Sequence, residues 1–206
     1  MKQYTQDQIH EVAKAFKDHE IIAIPTDTVF NFAIFPTLLI YSQYLHNLKH
    51  AKHRPETKPI PMMVSKLEQL EGIAIIDERT KVIAKHFLPG ALTLVLPVDP
   101  RLDKSYNNGL ETIAIRIPDE EFVLSLIDEL DTPLLVTSAN QSGAPTALKY
   151  EDVLEQLPNI DGIVLGKCRA LQASTIVDCT KEDLKILREG PISLEELVCV
   201  IENKSK

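Results

Sequence analysis

Two periods of apolar spacing alternate along this chain. Residues 6–18 place Ile9, Val12, Ala13 and Phe16 on one helical face, with Thr5 available as an N-cap. The next run, Ile21-Ile22-Ala23-Ile24, is continuously apolar and stops at Pro25, which predicts a strand buried on both faces and hence a covered sheet. The same reading predicts a helix over 37–50, a strand over 60–64, a helix over 77–87 and a strand at Leu92–Leu96. It continues with a strand at Thr112–Ile117, an acidic-fronted amphipathic helix at Asp119–Leu130, a strand at Leu134–Thr137 and a helix at Tyr150–Leu157. Residues 162–165, 174–178 and Lys185–Leu187 are strand-like, and Ser193 with Glu196 forms a capping-box pattern before a helix through 203. Alternating helices and strands predict an α/β fold with a mixed sheet. Without internal repeats, low-complexity stretches or linkers, residues 1–206 read as one domain.

Composition narrows the function. The chain is 44% hydrophobic and 25% charged, an ordinary balance for a soluble globular protein. A formal charge of −8 speaks against a general nucleic-acid binder, which would be basic. Cys168, Cys179 and Cys199 contain no CxxC pair, so reduced, packed thiols are expected rather than a disulfide framework or a zinc ribbon. The N-terminus lacks the apolar core of a signal peptide and no run approaches a membrane span, so a cytoplasmic protein is expected. Neither GxxxxGK[ST] nor GxGxxG occurs among the seven glycines. Any nucleotide must therefore be held by charged side chains and hydroxyls.

Such groups gather in five places. PTDTV, residues 25–29, follows the first buried strand, where ligands of open α/β sheets collect, although Asp and Thr also make ordinary turns. Lys49, Lys52, Arg54 and Lys58 form a local basic stretch that could straddle a polyphosphate or simply cap a solvated helix end. His46, His50 and His53 share a helical face, but lack an acidic partner nearby and sit in positive surroundings, so no tightly bound metal is expected. In FLPGALTLVL, Pro89-Gly90 marks a turn and Thr93 could face a site. Arg116 lies inside an apolar strand and needs an anionic partner, either a structural carboxylate or that of a substrate. TSANQSGAP, residues 137–145, offers Ser138, Asn140 and Ser142 on a constrained loop, and without GxSxG it suits binding better than covalent catalysis. Ser174 and Arg188 complete the inventory.

Together, IPTDTV (24–29), KHRPETKP (52–59), LPGALTLVL (88–96), RIP (116–118), TSANQSG (137–143), STIVD (174–178) and LREG (187–190) resemble the YrdC/Sua5/YciO family in its short form. That resemblance implies a YrdC-like twisted, mixed parallel and antiparallel sheet with flanking helices around a concave cavity. It also implies synthesis of threonylcarbamoyl-AMP from ATP with Mg²⁺, L-threonine and bicarbonate, for the modified adenosine 37 of tRNA. Lys52 and Arg54 would be catalytic and, with Ser138, Asn140 and Arg188, would bind the nucleotide. Thr28, Arg116 and Ser174 would lie at the threonine and carbamate end. The implied partners are these small molecules together with RNA, double-stranded RNA included, or the tRNA threonylcarbamoyltransferase machinery. No membrane is expected among them. The chain departs from the family pattern at Phe30-Asn31-Phe32, where Tyr-Gly-Leu is usual, so a non-catalytic nucleotide- or RNA-binding paralogue stands as the alternative.

Overall fold

The computed structural model describes residues 1–34, 60–107, 109–141, 144–169 and 172–204. The helix expected over 37–50 and the basic stretch Lys49–Lys58 lie outside them. Among the described residues the strands are β1 (Lys2–Tyr4), β2 (Ile22–Ile24), β3 (Asn31–Ile34), β4 (Met62–Met63), β5 (Leu92–Pro97), β6 (Thr112–Arg116), β7 (Leu134–Ser138), β8 (Gly162–Val164), β9 (Thr175–Asp178) and β10 (Lys185–Arg188). The helices are α1 (Ile9–Lys17), α2 (Glu78–Phe87), α3 (Glu121–Leu130), α4 (Tyr150–Gln156) and α5 (Leu194–Lys204), with 3₁₀ turns at Leu67–Leu70 and Lys104–Asn107.

All the described strands join one sheet in the order β1-β8-β2-β3-β7-β4-β6-β5-β9-β10. Pairing is parallel for β1–β8, β8–β2, β4–β6 and β5–β9, and antiparallel elsewhere, so the expected mixed sheet is present. The period-two alternation of each strand splits the core in two. Ile22, Ile24, Ala33, Leu134 and Val136 pack with Val12 and Phe16 of α1 and with Phe122, Val123, Leu126 and Ile127 of α3. Ala23, Phe32, Leu135, Leu94, Ile115 and Val177 point the other way, into a cluster joined by Ile83 of α2, Val153 of α4 and Leu197 of α5. The strand at Ile22–Ile24 is therefore covered on both faces, as its unbroken apolar run predicts.

Several details depart from expectation. Thr5 does not cap α1: Gln8 occupies the cap position, and Thr5 instead donates from its backbone N–H and its hydroxyl to Gln8 Oε1 at 2.9 and 3.1 Å. Thr5 O accepts from the Gln8 N–H, so residues 5–8 close a turn and the helix starts later. Two short strands, β1 and β3, were absent from the pattern reading. Two other helix starts carry side-chain caps, the second of them the one expected. Asp77 caps α2 by accepting from the Thr80 N–H at 2.7 Å. Ser193 and Glu196 exchange the two bonds of a capping box, at 2.8 and 3.2 Å.

The two faces of β5 give a stability test. Leu94 is fully buried, whereas Val95 faces an open cavity on the other side. Leu94→Ala should destabilise the protein by about 2–5 kcal/mol, and Val95→Ala by about 1 kcal/mol or less. Urea denaturation of both variants checks this, and equal losses would contradict the facing.

Candidate functional site

The site begins with the turn that leaves β2. Thr26 is fully buried and its hydroxyl donates to Val29 O at 2.7 Å, closing the turn on itself. The same oxygen lies within 3.3 Å of the Thr28 and Val29 N–H groups and 3.2 Å from the Thr28 hydroxyl. This side-chain-to-backbone closure is what Thr offers a turn. It leaves Asp27 and Thr28 facing across the sheet towards β6.

Arg116, the last residue of β6, meets them there. Its Nη2 donates to Asp27 Oδ1 at 2.6 Å, its Nη1 to Thr28 Oγ1 at 2.6 Å and its Nε to Gly90 O at 3.0 Å. Arg116 is 5% exposed and Asp27 7%, so the ion pair is buried. The carboxylate demanded by an arginine within an apolar strand is thus a structural one. Each Nη atom nevertheless carries a further N–H beyond the bond it makes here. Burial pulls the Arg116 pKa down, Asp27 opposes that shift, and the nearby Arg188 adds to it.

Arg116 lines a cavity of about 370 Å³ on the face that α1 and α3 cover elsewhere. Thr93 and Val95 of β5, Ala114 of β6 and Ile176 of β9 form its floor. Arg188 of β10 stands on its wall and is fastened by two bonds to Ser174 O, at 3.0 Å from Nε and 2.8 Å from Nη2. Nη2 also reaches Ser174 Oγ at 3.1 Å, and that hydroxyl meets Thr93 Oγ1 at 2.8 Å. Burial lowers the Arg188 pKa as well. Backbone packing locks this corner: a Cβ at Gly190 would overlap Thr175 N, Ser174 C and Ala173 O, so a side chain there would displace the segment holding Arg188. With one carboxylate against two guanidinium groups, these residues leave the cavity net positive, and an anion is the ligand it favours.

Sequence reasoning therefore brings Thr28, Arg116, Ser138, Ser174 and Arg188 together on one cavity. Asn140 lies apart from that lining. Its Nδ2 donates to Ala144 O at 2.6 Å, pinning the loop after β7, while its buried Oδ1 has no partner among the described residues. Lys52 and Arg54 fall outside the described residues. Asn31 and Gly90, absent from the predicted site, prove integral to it. The Pro89-Gly90 turn gave a signal for the second, because a Cβ at Gly90 would press on Phe87 O at 2.6 Å. A larger, more open depression of 720 Å³ lies around Asp119, Glu120, Lys167 and Arg169 and shares no lining residue with the cavity. Its mixed charges face solvent, so the chemistry points to the smaller cavity.

Comparison with known proteins finds relatives over most of the chain. The family profile Sua5_yciO_yrdC, described as "Telomere recombination", matches residues 14–190. The Bacillus subtilis threonylcarbamoyl-AMP synthase is 35% identical over 198 residues, covering 94% of this chain and 56% of that protein. The chain thus spans little more than half the length of that relative. A putative threonylcarbamoyl-AMP synthase of Mycobacterium leprae is 30% identical and is matched over 87% of its length. The crystal structure of Pyrococcus abyssi Sua5 complexed with L-threonine superposes with a TM-score of 0.87 at 31% identity, covering 97% of this chain and 60% of that one.

Among the described residues all three cysteines are free. Cys168 lies close enough to Asp27, Glu120 and Arg116 to feel their charges, yet burial pushes its thiol up to about 11. Cys179 is pushed up to about 11 by the same cause. Burial disfavours the thiolate, so at pH 8 only on the order of a thousandth of either thiol is ionised. Iodoacetamide at pH 8 should therefore alkylate the exposed Cys199 first and leave Cys168 and Cys179 unmodified in the folded protein. Peptide mass spectrometry reads the outcome. Labelling of Cys168 as fast as Cys199 would reveal an activated thiol beside the Asp27–Arg116 pair.

Proposed function

The chain belongs to the Sua5/YciO/YrdC family, and we propose that it is a threonylcarbamoyl-AMP synthase supplying the tRNA threonylcarbamoyl-adenosine modification. The observation behind this reading is the cavity itself. It holds two braced guanidinium groups, a ring of hydroxyls and no activated nucleophile among the described residues. That inventory suits a reaction driven by positioning and charge neutralisation rather than by a covalent intermediate.

The chemistry follows in two steps. The threonine amine adds to the carbon of bicarbonate-derived CO₂ and loses a proton, giving a carbamate. A carbamate oxygen then attacks the α-phosphorus of ATP, its new P–O bond replacing the bond to pyrophosphate, which departs. Arg116 offers its remaining N–H groups to the threonine carboxylate, with Thr28 and Ser174 beside it. Arg188 and Ser138 serve the phosphates, joined by Lys52 and Arg54, whose charges offset those of the triphosphate and leaving pyrophosphate, while Asn140 holds the loop after β7. Mg²⁺ arrives with ATP as part of the substrate. Among the described residues no group of three His, Cys, Asp or Glu side chains could hold a metal ion. We place the protein in the cytoplasm, handing its product to the tRNA threonylcarbamoyltransferase machinery. No described helix is long and apolar enough to cross a membrane.

Pyrophosphate release in the presence of ATP, L-threonine and bicarbonate should require all three. Arg188→Ala should lower kcat by about a hundredfold, and Lys52→Ala should give the background rate. Release independent of threonine, or none above the Lys52→Ala background, would overturn the assignment. ATP binding without turnover would mark a nucleotide-binding paralogue instead.

A further inference from the structure

Asn31 opens β3, paired with Ile24 of β2 on one side and Ser138 of β7 on the other. It is 6% exposed and lines the cavity. Its Nδ2 donates to Thr26 Oγ1 at 3.2 Å and to Val29 O at 2.8 Å, so the amide straps the two ends of the turn that presents Asp27 and Thr28. From there the bonds run on without a break. Thr26 Oγ1 meets Thr28 Oγ1 at 3.2 Å, and Thr28 Oγ1 accepts from Arg116 Nη1 at 2.6 Å.

We propose that Asn31 is a positioning residue for the amino-acid substrate, acting through Thr26 and Thr28 to hold the Arg116 guanidinium with its remaining N–H groups towards the cavity. The substrate half of this claim rests on the synthase reading above. The alternative is a local turn stabiliser with no influence on the ligand. The strand itself does not depend on the carboxamide. The Asn31 backbone is held by β2 and β7, the Phe30 N–H donates to Ala147 O at 2.9 Å, and Phe30 O accepts from the Ala139 N–H at 2.7 Å. Removing the side chain therefore takes two bonds from the turn and leaves it to Thr26 alone, while the sheet stays paired.

Asn31→Ala deletes the amide, and Asn31→Leu deletes its donors while keeping a branched side chain of similar reach. Both should raise the KM for L-threonine about tenfold while leaving the KM for ATP within about twofold. In the protein alone, proton exchange at Arg116 Nε–H, followed by NMR, should accelerate by about tenfold in both variants as the guanidinium loosens from Gly90 O. An unchanged exchange rate, or threonine and ATP constants that rise together, overturns the proposal. The two readings separate cleanly. If the unmutated protein releases no pyrophosphate yet the variants loosen Arg116, the synthase reading fails and the positioning role stands.

Discussion

The site depends on one buried ion pair, Asp27 with Arg116. Taking a guanidinium out of water costs roughly several kcal/mol unless its charge and its N–H groups are matched. Here the match comes from three separate parts of the chain: the turn after β2, the end of β6 and the carbonyl of Gly90 ahead of β5. Gly90 also donates its N–H to Ile117 O at 2.9 Å, so its turn is bound to β6 through main chain and side chain alike. The pair fixes where these parts sit relative to one another, and it does so at the cavity wall rather than deep in the core. A charge held by neutral groups and a single carboxylate, beside a second arginine, leaves that wall attractive to anions.

The sheet provides the space. Its alternating side chains bury aliphatic residues against α1 and α3 over β2, β3 and β7. On β5, β6 and β9 the same face carries Thr93, Val95, Ala114 and Ile176, which line a hollow that no helix among the described residues fills. The opposite face of those strands stays aliphatic, with Leu92, Leu94, Leu96, Ile113, Ile115 and Val177 in the core. One set of strands thus supplies a rigid core behind and the floor of an open receptacle in front. Arg188 closes the receptacle because Gly190 lets the chain press flat on the backbone of residues 173–175.

Much of this was legible in the sequence where signals are local. Continuous apolar runs marked β2, β5 and β7, and the capping-box pattern of Ser193 and Glu196 marked the start of α5. β1 escaped because only Tyr4 of its three residues is buried, which leaves no alternation to detect. β3 escaped because Asn31 stands at its head and breaks the apolar pattern, although the amide serves the turn behind it. The expected cap at Thr5 failed because Gln8 captured both the Thr5 N–H and its hydroxyl. Arg116 could be recognised as needing an anion, yet its partner lies 89 residues away and only the fold identifies it. Ser174, Arg188, Thr28 and Ser138, named through motif resemblance, all line one cavity, whereas Asn140 anchors a neighbouring loop.

The central claim is that Arg116, braced from behind by Asp27, Thr28 and Gly90, receives the carboxylate of an amino acid. Calorimetric titration of the whole chain with L-threonine and with L-threoninamide, each in the presence of a non-hydrolysable ATP analogue, tests it directly. The two ligands differ in the negative charge that the arginine would read. The account predicts saturable binding of threonine and a loss of at least about tenfold in affinity for the amide, a charge-assisted hydrogen bond being worth about 1.5–3 kcal/mol. Equal affinities for the two, or no binding of threonine, would contradict it.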